Sequence, residues 1–369
     1  TWGSDFRPAY QQLGTLRKYE TPFAALTGTA ARHTVNVIKS ALQMDDAQVI
    51  RMPCRRENLQ YNVVPKKESR SKQQVAEIVS KEHIDDCGIV YCATQADTVE
   101  MAYVLKDHGI LATFYHAGLD RHERLQNSSL WLDGSVPVIC CTNAFGMGID
   151  KKNVRFVIHL TQPSSLEDYV QESGRAGRDG ETCNCTLLYR FGDRTFHLRN
   201  ISKIESKQVT DDKLRMLNEI SKFCMETSMC RVQSISRHFG ENESNPCGFC
   251  DICQKGSVPD LHDYTDEAKN VLNCLASLIA IQPKIKLSEL VMVFIGSKAK
   301  DVMSKGFHVV PLYGKGKKSF KNIAKLTEFV QHLIFKELIV ETLPNSDSRI
   351  SSTYLSPGCV TDITVTYSM

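Results

Sequence analysis

Four cysteines, Cys230, Cys247, Cys250 and Cys253, carry the most specific chemistry in the chain. Their overlapping C-x-x-C steps suit disulfides poorly, whereas four thiolates can surround one ion tetrahedrally. Four protein ligands leave no open coordination position, so the cluster is expected to hold a structural Zn²⁺ and not a catalytic one. Unrelated free or redox-active cysteines are the alternative. The second candidate is the run Gln171 to Gly180. Arg175 and Arg178 lie three residues apart and share a face if they sit on a helix or helix end. Two guanidinium forks aimed at one place match phosphate oxygens, and Gly174, Ala176 and Gly177 allow a close approach. An arginine supplied from a second domain is a common way to stabilise charge on a transferring phosphoryl group. A solvated, charged helix end is the equally open alternative.

Two further segments are weaker. Thr142 to Asp150 directly follows an apolar run, 136–141. Gly146 and Gly148 permit backbone shapes closed to other residues, and Asp150 can hold a neighbouring arginine or bind a ribose or a metal. A bare G-x-G after a strand is also what many tight turns look like. From Lys284 to Lys325 there are ten lysines against Glu289 and Asp301, among them Lys298, Lys315 and Lys317. Such an excess suggests contacts to duplex phosphates, with a solvated lysine face as the alternative. No G-x-x-x-x-G-K-[ST] cradle for a nucleotide occurs: Gly314-Lys315 and Gly316-Lys317 lack both the earlier glycine and the following Ser or Thr. No acidic box of the D-E-x-H type occurs either.

The elements that must position these groups follow from hydropathy patterning. From Gly88 to Tyr189 apolar runs at 88–92, 112–115, 136–141, 154–160 and 185–189 alternate with helical patterns near 95–107, 120–131 and 164–176. That alternation predicts βαβ units and a parallel sheet covered on both faces, with ligands at the carboxyl ends of its strands. Upstream, Phe23 to Ala30 reads as a buried strand, and 51–74 as a basic linker holding one short strand at Leu59 to Val64. Helices are expected at 193–204 and 210–226. After the cysteines come helical patterns at 265–281, 287–294 and 321–338, then β-like runs at 338–342 and 352–355 separated by a turn-rich stretch. Helices followed by a short hairpin are the pattern of a winged helix. The expected fold is therefore α/β: residues 1–50 a partial lobe, 51–192 a parallel-sheet domain, 193–256 a helical zinc module, and 257–369 a winged helix.

Bulk properties limit the choices. With 42% hydrophobic and 24% charged residues the chain is globular, not disordered or collagen-like. A net charge of +3 is too small to name a partner, so any basic surface must be local. No uncharged run reaches the ~18 apolar residues of a membrane helix, so no membrane partner is expected. Four of the 14 cysteines cluster and the rest are scattered, which fits a reducing interior with one metal site. Thr1 and the dense opening residues suggest that the sequence starts inside a domain.

Taken together, these segments resemble the RecQ family of DNA helicases, within the two-domain RecA-like superfamily, from Thr1 through about residue 356. Trp2 to Pro8 looks like the family's aromatic-rich loop, and Thr27 to Ala30 like motif III. Tyr91-Cys92 with Tyr115 to Leu119 resembles the motif IV region, Ala144 to Asp150 motif V, and Gln171 to Gly180 motif VI. The four cysteines match the family's zinc module. Gly296-Ser297-Lys298 and Tyr313 to Lys317 resemble its winged helix. The resemblance implies the C-terminal portion of a motor that moves 3′ to 5′ on single-stranded DNA and unwinds duplex DNA with ATP and Mg²⁺ in recombination, repair and replication. It implies a nuclear location, or a cytoplasmic one in a prokaryote. Carried over, Arg178 is the arginine finger, with Arg175 and Gln171 assisting at the phosphates, and Asp150, Gly148 and Gly146 on the nucleotide side. Trp2, Phe6 and Arg7 would couple DNA binding to hydrolysis, Thr142 would lie near the DNA backbone, and Lys298, Lys315 and Lys317 would bind DNA. Three positions depart from the family pattern. Ser4 stands where the family has His, Arg56-Glu57-Asn58-Leu59 where it has R-P-N-L, and no aromatic lies near the predicted wing tip, Asn345 to Ser348. Read without an upstream lobe, the same chain is a non-catalytic DNA-binding protein.

Overall fold

Consecutive apolar residues, unlike alternating ones, call for strands covered on both faces. The computed structural model meets that demand with a six-stranded, all-parallel sheet. It describes all residues except 1–7, 20–21, 29–30, 53–54, 146–149, 242–244, 257–259, 344–352, 361–362 and 368–369, with no side-chain description for 8–11 and 32–33. The chain divides into two compact units, Thr1–Arg190 with Met229–Gly256, and Phe191–Ser228 with Ser257–Met369. Residues of the expected module 193–256 thus fall in both units.

The first unit begins with a 3-10 helix, Pro8–Tyr19, and α1 (Arg32–Ala41). There follow β1 (Leu59–Pro65), α2 (Ser71–Glu82), β2 (Cys87–Tyr91), α3 (Gln95–Asp107), β3 (Ala112–Tyr115), α4 (Arg121–Leu132), β4 (Val138–Cys141), β5 (Val154–His159), α5 (Leu166–Ser173) and β6 (Cys183–Tyr189). The sheet order is β1-β6-β5-β2-β4-β3, which leaves β1 and β3 as its edges. All four residues of β4 are buried. Gly88 is demanded by packing, because a Cβ there would lie 2.1 Å from the Phe156 ring. The buried Trp131 indole donates to the Gly88 carbonyl at 3.1 Å, so its polar atom is satisfied. The helices start where side chains can accept from free amides. Thr94 accepts from the Asp97 amide, Ser165 from that of Asp168, and Asp120 and Glu123 form a reciprocal capping box.

One expectation is corrected. The described part of Phe23–Ala30 is irregular and mostly exposed, with Leu26 94% exposed. Among the described residues no strand lies beside it, and an apolar run with no partner for its backbone groups does not become a strand.

In the second unit α6 (Arg194–Ile201) and α7 (Lys207–Met225) pack together. The chain then returns to the first unit for α8 (Arg231–His238) and α9 (Asp251–Lys255). The remainder comprises β7 (His262–Asp263), α10 (Thr265–Ile281), α11 (Leu287–Phe294), α12 (Lys300–Ser304), α13 (Ile323–Phe335), β8 (Ile339–Thr342), β9 (Tyr354–Pro357) and β10 (Thr366–Tyr367). Antiparallel β8 and β9 form the wing-like hairpin beside a core that includes Leu275, Leu290, Phe294, Phe329 and Ile339. The tip expected at Asn345 to Ser348 lies outside the described residues. Arg194 ties α6 and α7 to this hairpin. Buried, it donates to Ser221 Oγ at 2.9 Å, Asn218 Oδ1 at 2.9 Å and Glu341 Oε2 at 2.8 Å.

Candidate arginine loop, zinc knuckle and lysine platform

Helix α5 closes at Ser173, with Gly174 as its C-cap, so Arg175 and Arg178 lie beyond it in successive turns. They do not share a helical face. Arg175 is half-buried and lies close enough to the Tyr91 phenol to favour its ionised form. Arg178 is turned outward and meets Asp150, Nη1 to Oδ1, at 3.0 Å. Gln171 is exposed on the last turn of α5. The structure therefore brings Arg178 and Asp150 together and sends Arg175 inward. Gly146 and Gly148 lie outside the described residues, as do Trp2, Phe6 and Arg7. Thr142 is buried directly after β4, and its amide donates to the Tyr115 carbonyl at 3.2 Å.

Beneath the loop lies a buried polar group that the sequence reading missed. His159 Nε2 sits 2.9 Å from Glu172 Oε2 and stacks on Tyr91, with ring centroids 5.1 Å apart. Burial pushes the Glu172 carboxyl above its ordinary range, while His159 beside it pulls the other way. Burial likewise raises the Tyr91 phenol, and Arg175 opposes that shift. The Tyr91 hydroxyl also donates to the Phe145 carbonyl at 3.4 Å, which joins the arginine loop to the segment after β4. On the loop's far side, Asp179 pairs with Arg155.

The four cysteine sulfurs lie within 4.8 Å of one another. The Cys247–Cys253 and Cys230–Cys250 sulfur pairs are each 3.9 Å apart. Tetrahedral zinc with Zn–S bonds of 2.3 Å requires sulfurs about 3.8 Å apart, so the residues fit the ion. The amides of Cys247 and Cys250 donate to Cys230 Sγ and Cys247 Sγ at 3.2 and 3.3 Å, as suits thiolates. Gly248 takes φ +83°, the left-handed turn a tight knuckle needs. The knuckle is fastened to the sheet edge. Arg231 and Asp251 form a buried bidentate pair at 2.8 and 2.9 Å, Asp251 Oδ2 accepts from the Val63 amide at 3.3 Å, and Gln60 donates to the Phe249 carbonyl at 2.8 Å. None of Arg231, Asp251 and Gln60 carries a signal in the sequence, since their partners are up to 189 residues away.

In the second unit two glycine-bearing loops are pressed together. A Cβ on Gly296 would lie 2.7 Å from Gly314 Cα, and one on Gly316 2.6 Å from the Phe294 ring. Tyr313 Oη donates to the Ser297 carbonyl at 2.9 Å. Lys298, Lys315 and Lys317 are exposed on these joined loops. Lys305, in contrast, is paired with Glu289, and Lys325 with Glu328.

A parallel-sheet lobe bearing an arginine loop, a four-cysteine knuckle and a winged-helix-like unit define the C-terminal portion of a helicase. Family models agree segment by segment: the helicase conserved C-terminal domain over 70–180, the RecQ zinc-binding domain over 191–254 and the RQC domain over 258–357. The chain is 35% identical over 363 residues to ATP-dependent DNA helicase hus2/rqh1 of Schizosaccharomyces pombe, covering 97% of this chain and 27% of that protein. It is 35% identical over 375 residues to RecQ-like DNA helicase BLM of Xenopus laevis, covering 95% and 26%. It is 33% identical over 341 residues to ATP-dependent DNA helicase RecQ of Bacillus subtilis, covering 92% and 56%. The chain belongs to the RecQ family. It spans about a quarter of the two eukaryotic relatives and about half of the bacterial one.

Proposed function

We propose that this chain supplies the second motor lobe, the zinc knuckle and the winged helix of an ATP-dependent DNA helicase that tracks 3′ to 5′ on single-stranded DNA and opens duplexes in the nucleus. In domain terms, 1–50 closes the first lobe, 51–192 is the second, 193–256 the zinc module and 257–369 the winged helix. The observation that carries the reading is the outward-facing Arg178, held 3.0 Å from Asp150 at the surface of its lobe. An arginine so presented can be transferred from Asp150 to the phosphate oxygens of a nucleotide held by a facing lobe, where it would offset charge as the terminal phosphoryl group leaves. Mg²⁺, brought with ATP, would neutralise part of the same charge. Arg175 is already engaged with Tyr91 and serves to order the loop, and Gln171, exposed one turn earlier, is free to contact the nucleotide. Thr142 would lie near the DNA backbone, and the aromatic segment of Trp2 and Phe6 with Arg7 would couple DNA binding to hydrolysis, an aromatic face suiting an unstacked base. Lys298, Lys315 and Lys317 would meet duplex phosphates.

The test is Arg178→Ala in the full-length protein. DNA-stimulated ATP hydrolysis should fall at least ~10³-fold, the scale of a lost arginine finger, with single-stranded DNA affinity within about twofold of the parent. Retained turnover would overturn the assignment. On this 369-residue chain, replacing Lys298, Lys315 and Lys317 by Gln should weaken duplex binding and flatten its salt dependence by up to about three phosphate contacts.

A further inference from the structure

The arginine loop is gripped by two residues that precede the first strand of its sheet. Arg56 Nη1 donates to the Gly174 carbonyl at 3.5 Å, and Nη2 to the carbonyls of Ala176 at 3.3 Å and Gly177 at 2.6 Å. Asn58 Nδ2 donates to the carbonyls of Gly177 and Glu181, both at 2.8 Å, and its Oδ1 accepts from Arg56 Nε at 3.3 Å. From the opposite side, the Val154 carbonyl on β5 accepts from the Gly177 amide at 2.9 Å. The residue immediately before Arg178 is therefore held through both its N–H and its C=O. Gly177 takes φ +56°, and a Cβ there would lie 2.3 Å from Asn58 Nδ2. The grip leaves no room for a side chain at this point. Arg56 spends its fork on three backbone carbonyls and on Asn58, so it is not itself a second finger.

We propose that Arg56 and Asn58 are positioning residues for Arg178. They fix the left-handed turn at Gly177 from which the Arg178 side chain sets out, and so fix where its guanidinium can be delivered. The proposal rests on the role given to Arg178 above. Its physical basis is that a loop after a helix end has carbonyls with no intrahelical donor. A planar guanidinium can satisfy several at once, and a lysine ammonium, a point donor, cannot reproduce that fork. The clamp is anchored in turn. β1 follows directly from Asn58, and it is this strand that Gln60 and Val63 fasten to Phe249 and Asp251 of the zinc knuckle.

Two measurements test it. On this chain, hydrogen exchange at Gly177 and Gly180, whose amides donate to Val154 and Gly177, should quicken at least tenfold in Arg56→Ala and in Asn58→Ala, while amides inside β5 stay protected. Unchanged exchange at those two residues would overturn the clamp whatever the turnover. In the full-length protein, the same variants should lower kcat for DNA-stimulated ATP hydrolysis by about 10- to 100-fold, the scale of an ångström-level misplacement, with KM for ATP and DNA affinity within about twofold of the parent. Arg56→Lys should fall between. Arg178→Ala is the reference. If it abolishes turnover while Arg56→Ala and Asn58→Ala keep kcat within twofold, the positioning role fails and the finger stands. If it leaves turnover intact, the finger fails, and the positioning role with it. A parallel loss of kcat, DNA affinity and β5 protection would mark a merely structural role and overturn the proposal.

Discussion

Replacing Asp251 by alanine tests how the zinc knuckle is fastened to the sheet. In the parent, the Arg231 side chain is 3% exposed and that of Asp251 10%, and the two meet through a bidentate contact at 2.8 and 2.9 Å. Removing Asp251 takes this bidentate contact away from Arg231, and breaking a buried pair in this way costs about 3–5 kcal/mol. The Val63 amide loses its acceptor as well, which adds about 1 kcal/mol. The knuckle should therefore open at a free energy lower by about 4–6 kcal/mol. With a urea dependence of about 2 kcal/mol per molar for a small unit, its opening midpoint should move down by about 2–3 M. The assay is zinc release to a chromophoric chelator across a urea series, because it reports opening of the knuckle apart from the rest of the chain. The double variant Arg231→Met/Asp251→Leu should recover most of the loss, since replacing a whole buried ion pair by apolar residues is often near neutral. A shift below about 0.5 M in Asp251→Ala, or no recovery in the double variant, would refute the reasoning.

Two other predictions concern single positions. Gly177→Ala places a Cβ against Asn58 in a left-handed turn that alone costs about 1 kcal/mol; thermal unfolding should show at least that loss, and exchange at Gly180, whose amide donates to Gly177, should quicken. His332 on α13 is pushed down to about 4 by burial, with Lys336 and Lys222 acting in the same direction and Glu226 against it. Its folded value lies below the ordinary 6.5, so its contribution to stability is complete above about pH 6.5 and is lost as the pH falls toward 4. The shift corresponds to about 3 kcal/mol at most, discounted to about 1–2 kcal/mol for a half-buried ring. Hydrogen exchange along α13 should quicken over that interval, and His332→Gln should flatten the dependence.

The sheet was readable because its strands carry their own signal. The runs at 112–115 and 154–160 need burial on two faces wherever they go, and they form β3 and β5 within a residue at each end. The four cysteines were readable because metal-ligand spacing is local for three of them. Phe23–Ala30 failed for the opposite reason: an apolar run states a need for partners and not whether they are present. The inward turn of Arg175 was hidden too, since three-residue spacing implies one face only while the helix lasts, and α5 ends at Ser173. Arg56 and Asn58 could not be found by spacing at all. Their hydrogen bonds join residues about 120 apart in sequence, and the likeness of Arg56-Glu57-Asn58-Leu59 to the family's R-P-N-L says nothing of what the two side chains hold.

The place of β1 in the sheet order explains why a structural metal and an arginine loop belong to one device. An edge strand has one row of backbone groups with no neighbouring strand, and it must be covered or capped. Here β6 occupies one side of β1, and the knuckle supplies the acceptor for Val63 on the other through Asp251. The same strand has Arg56 and Asn58 just before its first residue, with their side chains on the carbonyls of Gly174, Ala176 and Gly177. Freeing β1 at its edge would give its leading residues more room, and the clamp bonds to Gly174 and Ala176, at 3.5 and 3.3 Å, are already long enough for a further few tenths of an ångström to break them. Chelating the zinc should therefore quicken exchange not only at Val63 but also at Gly177 and Gly180. If chelation released Val63 and left Gly177 and Gly180 as protected as before, the knuckle would stabilise its own edge and nothing more, and the coupling of metal to arginine would be wrong.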